Sequence, residues 1–97
     1  MLERPEKAYE YWKDEPEIEE FDSDAYGKLE SRQSYEKIKS VMLDYFVLAG
    51  GFISCGVLAK NDGCSAESAY FLERASYAMQ QAAKISEKLK AEWPNYV

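Results

Sequence analysis

Between Val41 and Ala59 the chain runs for nineteen residues with Asp44 as its one charged side chain. Within and around that run, Tyr35, Ile38, Met42, Tyr45, Ala49, Phe52, Gly56 and Ala59 recur at intervals of three and four, which predicts one face of a helix from about 34 to 60. Val41, Leu43, Phe46, Val47, Leu48, Ile53, Val57 and Leu58 point in the remaining directions, so the helix is apolar nearly all round. Such an element is central in a bundle or spans a membrane. The run approaches the ~20 residues that cross a bilayer. Against a membrane-anchored reading stand Asp44, which is costly in hydrocarbon, and a following helix able to cover this one. A β-hairpin at 45–58 is the other alternative, because both halves are rich in strand-favouring residues and Gly50-Gly51 suits a two-residue turn. The three-four spacing begins well before those glycines and continues through them, which favours the helix.

A second helix follows the turn Lys60-Asn61-Asp62-Gly63-Cys64. Ser65 is a suitable N-cap, and Pro94 stops a helix that runs from Ala66 to Trp93. Leu72, Ala75, Met79, Ala82, Leu89 and Trp93 form its predicted inner stripe, with Phe71, Ala78 and Ile85 beside it. Ala75, Ala78, Ala82 and Ala83 facing Ala49, Gly50, Gly51 and Gly56 would let the two backbones approach closely. The expected fold class is therefore all-α: a long antiparallel helical hairpin (about 34–60 and 65–93), each arm about 40 Å long at 1.5 Å per residue, with an α+β fold as the alternative.

The charge is unevenly placed. Residues 1–30 hold eleven acids and four bases, whereas residues 31–97 hold seven acids and eight bases, so the net −6 of the chain lies entirely in the first third. The chain reads as one small domain (1–97), an acidic N-terminal arm (1–30) preceding a near-neutral helical hairpin (31–97). In the arm, Pro5 begins a short aromatic helix to about Lys13, and Pro16 interrupts it. Asp14, Glu15, Glu17, Glu19, Glu20, Asp22 and Asp24 then place seven carboxylates in eleven residues with no base among them. With Ile18 and Phe21 as its apolar anchors, 14–24 is expected to be a solvated loop or extended segment.

Catalytic chemistry finds little support. Without histidine there is no Ser-His-Asp or Cys-His unit and no imidazole metal ligand. Two cysteines cannot build a zinc site, and no phosphate-binding glycine loop is present. Asp22, Asp24 and Gly27 match three positions of a calcium loop, but Tyr26 and Gln33 occupy positions that need an oxygen ligand and a bidentate Glu. For Asp22 and Asp24 the alternative role is capping a helix from Ala25 to Arg32. The expectation is a non-enzyme with no cofactor and no metal. Cys55 and Cys64 flank the turn, so a disulfide there competes with two reduced, buried side chains. Residues 1–10 lack the apolar stretch of a signal peptide, and a cytoplasmic, reduced chain is expected.

Interaction chemistry remains. Asp14, Glu15, Glu17, Ile18, Glu19, Glu20, Phe21, Asp22 and Asp24 form a candidate partner-binding segment, the carboxylates steering approach to a basic protein surface and the apolar side chains fixing register. The acidic balance argues against direct nucleic-acid binding. Tyr35, Tyr45, Phe46, Tyr70 and Tyr77 are candidates for a second, aromatic interface, since the first helix is too apolar for one neighbour to cover, and a second copy is one partner for it. In charge and length alone, the chain resembles phage-encoded inhibitors of host nucleases and CRISPR complexes. That resemblance implies an inhibitor occupying a surface that normally binds nucleic acid. A self-associating helical-bundle scaffold, adaptor or chaperone is the alternative, and a small membrane-anchored protein the third.

Overall fold

The computed structural model describes Trp12 and residues 17–93. The expected helix at 5–13, apart from Trp12, and the carboxylates Asp14 and Glu15 lie outside the described residues. Two long helices dominate: α1, Arg32–Asn61, and α2, Ser65–Glu92, packed against each other as a hairpin. No strand occurs among the described residues, and the helix passes through Gly50 and Gly51, which settles the hairpin-of-strands alternative against.

The termini of α1 follow from local chemistry. Ser31 is extended and caps the helix: its Oγ accepts from the Ser34 backbone N–H at 3.2 Å, while the Ser34 hydroxyl accepts from the Ser31 N–H at 3.2 Å. At the other end the Gly63 N–H donates to Lys60 O at 3.0 Å and the Cys64 N–H to Ala59 O at 2.8 Å. This is the Schellman arrangement, and it needs the left-handed Gly63 (φ 79°). The chain thereby reverses in three residues, so α2 must run antiparallel to α1. Ser65 is the first residue of α2 and Cys64 the cap, one position from the predicted cap, and the Cys64 side chain makes no capping bond.

The inner face of α1 is the predicted one: Tyr35, Ile38, Tyr45, Ala49, Phe52, Gly56 and Ala59 are buried, joined by Cys55, with Met42 partly so. The inner face of α2 differs from expectation. Phe71, Ala75, Ala78, Ala82, Ile85 and Leu89 are buried, while Leu72 and Met79 are exposed. Polar residues share that buried stripe, namely Ser68, Gln81 and Lys88. Ser68 donates to Gly56 O at 2.8 Å, tying the two helices together near the turn. Gly56 accommodates Leu72, as a Cβ there would lie 2.9 Å from its side chain, so this glycine does serve the helix contact. Gly51 does not: the ring of Trp12 occupies the place of its missing Cβ, and that ring also meets Phe52 edge-on at 5.1 Å. Ala83 and Gly50 are both exposed, so neither contributes to the close helix approach expected of them. Cys55 is buried and Cys64 half-buried, and no disulfide joins them. Burial raises the Cys55 thiol pKa.

Candidate interaction surfaces

Residues 17–30 form a strap along the hairpin rather than a free arm. Apart from one 3-10 turn, Ser23–Tyr26, it has no regular secondary structure; the turn is capped by Asp22, whose carboxylate accepts from the Asp24 N–H at 3.0 Å. The turn ends at Gly27 (φ 61°), so the helix that Asp22 and Asp24 were expected to cap is a single turn. Three apolar side chains, Ile18, Phe21 and Leu29, are buried. Ile18 and Phe21 therefore belong to the protein's own core and are not available as partner contacts: the hairpin supplies the apolar surface they need. Phe21 stacks on Tyr26 with ring centroids 5.4 Å apart.

Backbone polar groups of the strap find partners on both helices. The Phe21 N–H donates to Oε1 of buried Gln81 at 2.8 Å, and the Leu29 N–H to Glu92 Oε1 at 3.0 Å. The Tyr45 hydroxyl donates to Glu19 O at 2.6 Å. Lys88 completes the far end, its Nζ 2.9 Å from Glu92 Oε2. The bond from Lys88, then that from Leu29, hold the Glu92 carboxyl below the usual carboxylate range. Burial first, then the neighbouring Tyr26 and Glu19, push the Tyr45 phenol up.

The carboxylates themselves face water. Glu17, Glu19, Glu20, Asp22 and Asp24 are all exposed, with Lys84 3.4 Å from Glu20 as a loose, solvated pair. Where strap meets α1, Glu17, Glu19 and Asp44 rim an open cleft of about 320 Å³ walled by Tyr26, Val41, Tyr45 and Leu48. Of the candidate segment, Glu17 and Glu19 are thus brought together with Asp44 of α1, while Glu20 lies toward Lys84 of α2.

The aromatic candidates separate. Tyr35 and Tyr45 are buried within the molecule, Tyr35 stacked on Trp93 at 5.6 Å, so neither is an exposed interface residue. Tyr77 is half-buried, while Phe46 and Tyr70 are exposed. Around Phe46 the outer face of α1 is strongly apolar: Leu43, Val47 (71 % exposed), Ile53, Val57 and Leu58 all stand in solvent. By length and composition α1 could cross a membrane, and only 28 % of its most apolar window is buried in the molecule.

Among the described residues no group of three or more His, Cys, Asp or Glu is arranged to hold a metal ion. No known protein family matches the chain, and neither a curated protein nor a solved structure does so. The functional reading therefore rests on the surfaces alone. Gln81 and Glu92, which hold the strap backbone, are not singled out by the sequence pattern. The available signal is Gln81 and Lys88, polar residues seven apart that each directly precede a buried apolar residue of the inner stripe, Ala82 and Leu89, and so mark groups with internal partners.

Proposed function

We propose that the protein is a non-enzymatic binding protein that occupies a basic surface of a protein partner and blocks it, as an inhibitor does. The observation that supports this reading is the strap: five carboxylates face solvent on a backbone fastened to both helices through Gln81, Glu92 and Tyr45. A negative edge held in place loses little conformational freedom on binding, and its field steers a cationic partner toward it. The chemistry it complements is a row of Lys and Arg side chains, the kind of surface that also receives nucleic acid.

The test is titration against the protein that co-purifies from the native host, at low and at high salt. Wild-type affinity falls as salt rises, and reversing Glu17, Glu19, Asp22 and Asp24 to Lys weakens binding and flattens the salt dependence. Equal affinities of wild type and the reversed variant at both salt concentrations would end this reading.

A further inference from the structure

We infer that the outer face of α1 is an interface between two copies of this chain, with the two α1 helices crossing at Gly50. This face is separate from the strap, and the inference does not rest on the strap's function.

The first support is area. Leu43, Phe46, Val47, Ile53, Val57 and Leu58 are between 41 and 71 % exposed and follow one another at helical spacing around Gly50. Half-exposed side chains of this size sum to on the order of 500 Å² per copy, the size of the largest apolar patch on a typical monomer, which is often a binding surface. Doubled across two copies, that apolar area alone approaches the ~1,000 Å² above which interfaces are specific.

The second support is Gly50 itself. Of the three glycines inside α1, Gly51 makes room for Trp12 and Gly56 for Leu72, but a Cβ on Gly50 would meet nothing within 4 Å. Glycine weakens a helix interior relative to alanine, and among the described residues no contact accounts for it here. A small residue at the centre of an apolar helix face is what a close backbone crossing uses.

The third support is charge, which selects the occupant. No charged side chain lies on α1 between Asp44 and Lys60, so two chains of net charge −6 can meet there without opposing charges at the contact. An antiparallel pair about Gly50 sets Leu43, seven residues before it, opposite Val57, seven after it, apolar on apolar in both directions. A bilayer is the poorer occupant. Crossing it as an intact hairpin would carry Glu17, Glu19 and Asp44 of the strap cleft, and Glu87 and Lys90 beside Phe46, into hydrocarbon.

Sedimentation equilibrium of the full chain over a range of concentrations tests the inference, with helicity followed by circular dichroism. The wild type is expected to be a dimer. Gly50→Leu adds apolar surface and improves helix propensity, yet is expected to weaken dimerisation at least tenfold by holding the helices apart, and Val47→Glu is expected to do the same. A wild type that stays monomeric at the highest concentration would overturn the inference. So would a Gly50→Leu chain that dimerises as tightly as wild type or more so, which would signal unspecific apolar association. Recovery of the wild type only with detergent would assign the face to lipid instead. The strap variant with Glu17, Glu19, Asp22 and Asp24 changed to Lys is expected to dimerise as wild type does, so the two surfaces fail or stand separately.

Discussion

α1 and α2 are of nearly equal length and share one seam, yet their outer faces are finished for different surroundings. The outside of α2 carries Glu73, Gln80, Lys84, Glu87 and Lys90, whereas the outside of α1 from Leu43 to Leu58 is aliphatic and aromatic apart from Asp44 and Ser54. The seam can be built with either finish, because packing consults only the inward stripe. The outward stripe is free to answer to something else, and on α1 it answers to an apolar neighbour.

The largest effect is expected from the inner face of α1. Phe52→Ala empties a fully buried site that meets Phe71 and Trp12, and is expected to lower the unfolding free energy by about 3–5 kcal/mol in a denaturant titration. Next in size is a change on the inner face of α2, where a polar residue does structural work. Gln81→Leu leaves the Phe21 N–H without its acceptor and is expected to cost about 1–3 kcal/mol. Hydrogen exchange at the Phe21 amide should accelerate with it, and unchanged exchange would show that the strap is held by its apolar side chains alone.

Glu92→Gln removes a charge while keeping an oxygen for Leu29, and is expected to lower stability by about 1 kcal/mol at neutral pH. Because the folded carboxyl titrates below its unfolded counterpart, this contribution is complete at neutral pH and fades as pH falls through the carboxylate range. The two proteins should therefore converge in acid. Gly50→Ala, measured at concentrations too low for association, is expected to stabilise the chain by about 0.5–1 kcal/mol, since its Cβ meets no atom of the described residues. Smallest of all is Lys84→Ala, expected within about 0.5 kcal/mol of wild type, as its pairing with Glu20 is exposed.

How legible each part was depends on whether local spacing or distant partners decided it. The inner face of α1 could be read because its large and small apolar residues repeat in one phase. On α2 the predicted stripe holds Leu72 and Met79 with Phe71, Ala78 and Ile85 beside it, while the structure exposes the first two, buries the other three, and admits Ser68, Gln81 and Lys88 among them. Those three polar residues break the apolar pattern because they serve Gly56, Phe21 and Glu92, and no local rule announces such partners. The strap misled for the same reason. Its carboxylate density pointed correctly to solvent for Glu17, Glu19, Glu20, Asp22 and Asp24, but Ile18 and Phe21 looked exposed because the surface that buries them lies on another element.

The strap's hydrogen bonds join residues 60 and 63 positions apart, Phe21 to Gln81 and Leu29 to Glu92. A ribosome releases the donors of those bonds long before it makes the acceptors, at about 5–20 residues per second. For several seconds of every round of synthesis the newborn chain presents its acidic segment unfastened, with Ile18 and Phe21 bare. The last turns of α2 to be translated are therefore what close the molecule.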